Sequence, residues 1–403
     1  MNALRTLLTL ALLAPTPLLA AELPTCDFRL NPAERELWVL TMSPGAELFT
    51  VFGHNGLYLR DPRADIDEVY NFGAYETNDP NLLEGFLAGT QLYTSDTRSF
   101  HSMLAMYSHE ERTVVAQKLD LPPAAAQRLV DALRVAIDPE HADYRYHWAL
   151  ANCSTKVRDL IAAALEGPFV STTPNPEFTQ RGEVLRHMAS LPWVELGVDF
   201  IMAKGADEPL SEWDATFLPA NLRDAMAKAT FEGRPIVSTT CLVYRGRFDD
   251  APAHAPERTA TLWALGLSLG VLILLLAFWP NVATRALLAA ILATYGLVGG
   301  ALSAVSLWLW AGSKLEVFWQ NSKLFFVNPG AVGLFVLATG VLFGSRWATK
   351  WARLWALGLL GVACAGLLVT TFGVQERFAF FGLFAPPLLA FVKALPSFSK
   401  AKG

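Results

Sequence analysis

Hydrophobic and polar positions follow two periods through the first 250 residues and then give way to long apolar runs. Glu36 to Met42 alternates about Leu37, Val39 and Thr41, which predicts a strand. Asn55 to Arg60, closed by Asp61-Pro62, and the aromatic-rich Glu68 to Tyr75 predict two more. Arg112 to Leu121 alternates more weakly and predicts a fourth. The period then lengthens. Pro122-Pro123 opens a helix through Ile137, with Leu129, Leu133 and Ile137 on one face. Val157, Leu160, Ile161 and Leu165 form the apolar face of a second helix, which Gly167-Pro168 ends. It begins at Asn152-Cys153-Ser154-Thr155, capping residues around a cysteine. Strands with several helices predict an α+β domain.

Beyond Thr259 the apolar runs cover Leu262 to Pro280 and then about 286–310, 329–344, 354–373 and 378–392. A spanning helix needs about 20 apolar residues. The first, second and fourth runs reach that length; the third and fifth are short. Trp279, Trp308, Trp347 and Trp351 lie near run ends, where membrane interfaces favour indoles. With the polar domain exported, five spans put Arg285, Arg346, Lys350, Arg353, Lys393, Lys400 and Lys402 inside. Lys314, Glu316, Lys323, Glu376 and Arg377 then lie outside. Basic residues predominate inside, as the positive-inside rule requires. Four spans would put the tail outside and spoil that bias. The runs hold no ionisable residue deep within them, which argues against an ion or proton path.

Composition sharpens this division. The chain of 403 residues is 53% hydrophobic and 17% charged, against about 25% charged in a soluble domain. Of its 37 acidic residues, only Glu316 and Glu376 lie beyond residue 257, so the polar segment is acidic. The net charge of -5 gives no reason to expect nucleic-acid binding. At the N-terminus, Arg5, the apolar Leu7 to Ala14 and the small residues before Glu22 read as a secretory signal, cleaved after Ala20 or Ala21. The alternative is a retained membrane helix, which Pro15, Pro17 and the short apolar core oppose. The expected organisation is a signal at 1–21, an exported domain at 22–250, a Pro/Ala-rich linker at 251–258, a membrane bundle at 259–395 and a cytoplasmic tail at 396–403.

The candidate chemistry centres on Cys153. A thiol in the first turn of a helix feels the positive end of the dipole and unpaired N–H groups, both of which favour the nucleophilic thiolate. Rapid alkylation near pH 7 would follow. A thiolate needs a proton shuttle, usually histidine. Among His54, His101, His109, His141, His147, His187 and His254, His54 stands apart, between Gly53 and Asn55-Gly56 at the mouth of a strand. Four cysteines exclude a disulfide-dense scaffold. Cys26 and Cys241 could pair and leave Cys153 free, or Cys153 could itself be a disulfide partner or a packing residue. Cys364 lies in a membrane run and reads as inert packing.

Several short motifs in order carry a resemblance. Gly53-His54-Asn55, Val69-Tyr70-Asn71-Phe72-Gly73, Tyr144-Arg145-Tyr146, Asn152-Cys153-Ser154-Thr155-Lys156-Val157-Arg158-Asp159 and Phe217-Leu218-Pro219 resemble the Lnb N-terminal periplasmic domain family. Trp319-Gln320-Asn321-Ser322-Lys323-Leu324 and Asn328-Pro329 resemble the membrane loop of its longer members. The family includes bacterial lipoprotein N-acyltransferases. Its domain is similar to circularly permuted papain-like (NlpC/P60-like) folds, in which His precedes Cys. The resemblance thus implies an inner-membrane acyltransferase with a periplasmic domain. Cys153 would take an acyl chain from phospholipid as a thioester, and His54 would shuttle protons during its transfer to the amine of a diacylglyceryl lipoprotein. Backbone N–H groups at the helix start, that of Cys153 included, would hold the oxyanion.

The resemblance also nominates supporting residues. Asn71 would orient the imidazole, or merely satisfy a turn. Asn152 would supply an oxyanion donor, or cap its helix; Asn55 and Tyr70 are further supporting candidates. Trp319, Asn321 and Asn328, with Glu316, would meet a lipid headgroup or cap helices. Arg158 and Asp159 read as a structural ion pair. Neither cofactor nor metal is implied. Membrane anchoring suits lipid substrates, since extracting an acyl chain into water costs about 0.8 kcal/mol per methylene. The competing readings are a phospholipase or other lipid transacylase, a cell-wall cysteine peptidase of the NlpC/P60 type, and a non-enzymatic envelope factor.

Overall fold

The computed structural model describes residues 23–28, 34–76, 78–248, 250–368 and 378–400. The expected signal at 1–21 and the loop bearing Glu376 and Arg377 lie outside these residues. Seven antiparallel strands form one sheet. They are β1 (Glu36–Met42), β2 (His54–Asp61), β3 (Ile66–Ala74), β4 (Leu92–Ser99), β5 (Val114–Leu119), β6 (Asp143–Arg145) and, near the end of the domain, β11 (Val237–Tyr244). Their order is β11-β5-β1-β2-β3-β4-β6. Short pairs β7 (Pro174–Thr179) with β8 (Pro209–Ser211) and β9 (Thr230–Phe231) with β10 (Arg234–Pro235) lie outside it.

Alternation sorts the sheet into two faces. Val39, Leu57, Leu59, Tyr70 and Phe72 pack under α3 (Pro123–Ala136) and α4 (Cys153–Leu165). Leu40, Met42, Tyr58 and Val69 pack against Met103 and Tyr107 of α2 (Phe100–His109). A helix α1 (Leu82–Ala88) precedes β4. After α4 come α5 (Gln180–His187), α6 (Pro192–Ile201), α7 (Glu212–Ala215) and α8 (Pro219–Met226). The first three strands, α3 and α4 lie within a residue or two of the positions read from periodicity. The N-terminal region is thus a mixed α+β domain.

Cys26 and Cys241 form a disulfide. Beside it, the Cys26 N–H donates to the Leu242 carbonyl at 2.9 Å, so the first described segment is tied to edge strand β11. The covalent loop encloses the whole domain, and such a link belongs to an oxidising compartment.

The C-terminal region holds four helices long and apolar enough to cross a membrane: α9 (Thr259–Leu276), α10 (Val282–Gly312), α12 (Arg346–Leu368) and α13 (Phe378–Lys400). Between α10 and α12 stands α11 (Val332–Leu342), whose 11 residues are too short to cross alone. The sequence between α10 and α11 folds back in short 3₁₀ turns, and Glu316–Phe325 with Pro329–Leu342 forms a pair bent by 45°. The third expected run, 329–344, is therefore only the second arm of this pair, which is one broken span or a re-entrant loop and is termed the broken span below. Ahead of it, Asn321 and Asn328 cap separate turns instead of continuing a helix. The last helix continues to Lys400, past the expected bundle end at 395. Cys364 is exposed on the outside of α12 instead of packed.

Close helix contact rests on small residues. In α13, Pro386 and Pro387 have no N–H to offer the carbonyls of Gly382 and Leu383, one turn earlier. Gly266 of α9 packs directly on those two carbonyls, where a side chain would overlap them.

Several links seat the α+β domain on this bundle, two of them through basic side chains. Arg258, just before α9, donates to Glu195 of α6 at 2.9 Å. The fully buried Lys323 lies in the broken span, and its Nζ donates to the carbonyls of Asp199 (2.8 Å) and Met202 (3.0 Å). Asp199 also pairs with Arg181, which reaches Asp207 as well. Arg285, Arg346, Lys350, Arg353 and Lys393 lie on the helix ends remote from the domain, as expected for a domain outside and a basic face inside.

Cys26→Ser is expected to cost about 2–5 kcal/mol. Thermal unfolding of the detergent-solubilised protein should show a lower midpoint than wild type under non-reducing conditions, and no difference under reducing ones.

Candidate active site

Helix α4 starts at the edge of the sheet, and its first residue is Cys153. Asn152 makes this start rigid. Its Oδ1 accepts from the N–H groups of Ser154 and Thr155, both at 2.9 Å. Its Nδ2 donates to the carbonyls of Trp148 (2.6 Å) and Phe217 (2.9 Å), and its own N–H donates to Thr155 Oγ1 at 2.8 Å. Ser154 Oγ adds a bond to the Thr216 carbonyl at 2.7 Å. The Phe217-Leu218-Pro219 segment therefore clamps the helix start. Asn152 has no side-chain donor left for an oxyanion, so the capping alternative describes it.

His54 opens β2, across the ladder from Met42. The chain enters through Gly53 at φ +83, where a Cβ would sit 2.8 Å from the Met42 carbonyl oxygen; only glycine makes that approach without strain. Asn71 pairs with Gly56, two residues along from His54, so His54 and Asn71 share a sheet face. The Asn71 side chain hydrogen-bonds the His54 ring, while its Nδ2 donates to the Val69 carbonyl at 3.3 Å. Tyr107 stacks beside His54 at 6.3 Å between ring centres, and the Arg112 guanidinium lies over Tyr107 at 4.8 Å. The thiol of Cys153 faces the backbone N–H groups of Asn55, Ser154 and Cys153 itself. Cys153, His54 and Asn71 thus converge from a helix start and two neighbouring strands.

Both titrating groups are held neutral. Enclosure pushes the Cys153 thiol above its ordinary value, outweighing the three N–H groups and the charge of Arg112. This corrects the expectation of a ready thiolate: the helix start does favour the anion, but desolvation costs more. Enclosure and Arg112 lower His54 to about 4, against the Asn71 hydrogen bond, which raises it. The resting pair is thiol and imidazole.

Cys153 and His54 lie in the wall of a cavity of about 470 Å³, within the roughly 300–1,000 Å³ of ligand sites. Phe49 and Phe52 from the β1–β2 connection, Phe86 of α1 and the tyrosines Tyr75, Tyr93 and Tyr146 form one side. Val194, Gly197, Val198 and Ile201 of α6 form another, and Val317 and Phe318 of the broken span contribute to the wall. No Asp, Glu, Lys or Arg lines it. Sequence reading missed α6, although those four residues follow a helical i, i+3, i+4, i+7 spacing. Among the described residues, no group of three His, Cys, Asp and Glu side chains could hold a metal.

The remaining candidates are placed as follows. Tyr70 points to the opposite sheet face, in the core with Val157 and Ile161, away from the cavity; its partner Leu57 is of the other parity from His54. The Asn55 side chain is buried, with Nδ2 donating to Thr41 Oγ1 at 2.9 Å, and only its backbone N–H meets the thiol. Asn321 is buried at the domain junction, donating to the Phe200 carbonyl at 2.8 Å and accepting from the Lys323 N–H. Asn328 accepts from the Gly330 N–H at 3.0 Å. Both asparagines cap turns, and Asn321 is closed to a headgroup. Trp319 is partly exposed, with its indole N–H on the Ser313 carbonyl at 3.0 Å. Arg158 pairs with Asp159 at 2.8 Å and covers Trp213. His147 Nδ1 accepts two backbone N–H groups of its own turn.

Residues 25–176 match the Lnb N-terminal periplasmic domain family. This is the family that the sequence motifs resemble. The match contains His54, Asn71 and Cys153, and stops before α6, the Phe217–Pro219 clamp and the membrane helices, which complete the cavity. A search of curated proteins and a search of solved structures each found no match. The chain therefore carries an Lnb-type periplasmic domain followed by transmembrane helices.

The neutral pair gives the Lnb domain a distinctive pH response. Alkylation of Cys153 by iodoacetamide should be slow at pH 7 and rise only above the ordinary thiol range. A histidine base works only when neutral, so any activity that uses His54 should show the acid limb of kcat/KM near pH 4 and not near the ordinary imidazole value of about 6.5. A fast pH 7 reaction, or a limb near 6.5, would contradict this arrangement.

Proposed function

We propose that this protein is a thiol acyltransferase of the bacterial inner membrane. In this reading it moves an acyl chain from phospholipid, through a thioester on Cys153, to the N-terminal amine of a diacylglyceryl lipoprotein. The observation that carries the reading is the uncharged, aromatic and aliphatic cavity that ends on Cys153 and His54 and shares a wall with the broken membrane span. An acyl chain satisfies such a wall. A cell-wall peptide brings carboxylates, and the lining offers no cation to meet them.

The steps follow from the neutral pair. Cys153 attacks the ester carbonyl as His54 takes the thiol proton, and the N–H groups of Asn55 and Cys153 hold the oxyanion. Collapse expels the lysophospholipid alkoxide, which receives the proton from His54 and leaves the thioester. The lipoprotein amine then attacks the thioester. His54 takes the amine proton and returns one to the sulfur, regenerating the thiol and an N-acyl lipoprotein. Asn71, bonded to the ring, positions the imidazole. His on a strand, Asn on the next and Cys on a later helix are the order of a permuted papain-like site, which is the fold relation we infer.

Purified protein in phospholipid vesicles should add one acyl chain to a synthetic diacylglyceryl lipopeptide, seen as a mass gain. Cys153→Ser should abolish the gain, and His54→Ala should slow it about 10²–10⁴-fold. Free fatty acid without lipopeptide gain would mark a phospholipase, and intact phospholipid with cleaved muropeptide would mark a peptidase.

A further inference from the structure

Two helices of the cavity wall are each fastened where an apolar C-terminal helix meets the domain. On one side is α6. Glu195 binds Arg258 at the start of α9, and the Phe200 and Ile201 carbonyls at the other end accept from Asn321 in the broken span. On the other side is α1. Its Leu87 carbonyl accepts from Ser313 Oγ at 2.6 Å, and its Ala88 carbonyl accepts from the Lys314 N–H at 3.0 Å, just past the end of α10. Both helices thus lie beside the domain-side ends of α9 and α10.

Both also expose apolar side chains beside the cavity. Leu83 of α1 is 52% exposed and Val194 of α6 is 38% exposed, and both line the cavity. Trp193, next to Val194, is 82% exposed. An indole standing clear of the domain has no packing reason to be there, whereas the headgroup level of a bilayer favours it. The apolar surface runs without a charged lining residue from these lips to the thiol.

We propose that α1 and α6 are the lips of a lateral portal, seated in the outer leaflet of the bilayer that holds the membrane helices, through which an acyl chain slides from the leaflet to Cys153. The inference rests on the acyl-transfer reading and adds the route. The chain never crosses water, so the desolvation cost of lifting it from the bilayer is not incurred. Trp193 anchors one lip at headgroup depth. It acts on the bilayer and not on the reacting atoms.

The test uses the full chain in vesicles of phosphatidylethanolamine and phosphatidylglycerol. p-Benzoylphenylalanine is placed at Trp193 and, as a control, at Val135, an exposed apolar position on α3. Light should cross-link position 193 to phospholipid and leave position 135 unlabelled; equal labelling, or none at 193, overturns the portal. Activity gives the second readout. Trp193→Glu should lower turnover of vesicle phospholipid at least tenfold more than turnover of soluble p-nitrophenyl butyrate, and Trp193→Phe should restore the ratio. Equal losses on both substrates, or no loss, overturn the portal. If wild type and Cys153→Ser are equally inactive on both substrates, the acyl-transfer reading fails instead, and the cross-link still reports whether the lip touches lipid.

Discussion

The buried ionic junction between α6 and the broken membrane span holds the two halves of this protein in register. Lys323 has no exposed surface, and its ammonium is placed between the Asp199 and Met202 carbonyls, with the Asp199 carboxylate 3.8 Å away. Arg181 completes the set by bridging Asp199 and Asp207. Burying charge costs several kcal/mol per ion and is tolerated only with full pairing. A slightly shifted domain would leave one of these charges desolvated and unpaired. The junction is therefore worth more as a register device than as a source of net stability. It fixes the height of α6, and through α6 the cavity wall.

That fixed height also sets the wall around Cys153. The same helix that carries Asp199 toward the junction carries Val194, Gly197, Val198 and Ile201 toward the cavity. Enclosing Cys153 this way raises its pKa and sacrifices the ready thiolate that its helix start would otherwise support. In the acyl-transfer reading, the apolar lining in exchange keeps bulk water from a thioester awaiting an amine. A soluble cysteine hydrolase has no need of that exclusion, because water is its acceptor. Neutral His54 and neutral Cys153 are the electrostatic consequence of burial in an uncharged cavity.

The cysteine chemistry of the domain divides by position. Cys26 and Cys241 close the chain at the sheet edge, Cys153 stays a free thiol inside the cavity, and Cys364 faces outward from α12. Of the two free cysteines among the described residues, Cys153 meets backbone N–H groups and shares the cavity lining with His54. Asn152, read from the sequence as either oxyanion donor or cap, has every side-chain hydrogen-bonding group engaged in holding the helix start against Phe217 and Trp148. The placement of Cys153 thus depends on a segment more than 60 residues further along the chain.

The sequence by itself determined whatever depends on local periodicity and capping. Strands β1 to β3, helices α3 and α4, the cysteine at the first turn of α4 and the onset of apolar helices at Thr259 were all legible. In each, the side chains that define the element are neighbours along the chain. The motif order also brought His54, Asn71 and Cys153 forward as a set. Strand β4, with polar residues on both faces, was not legible, because its pairing with β3 and β6 decides it. Tyr70, adjacent to Asn71, lay beyond reach for a related reason: strand parity sends it to the core once β2 and β3 are in register. The run at 329–344 read as one short span, yet the structure makes it the second arm of a bent pair, because Asn321 and Asn328 ahead of it cap separate turns and Asn321 is claimed by α6. Only the tertiary structure decided the enclosed thiol and the uncharged cavity. Desolvation and cavity shape arise from residues brought together across the α+β domain and the membrane bundle, and no local pattern records them.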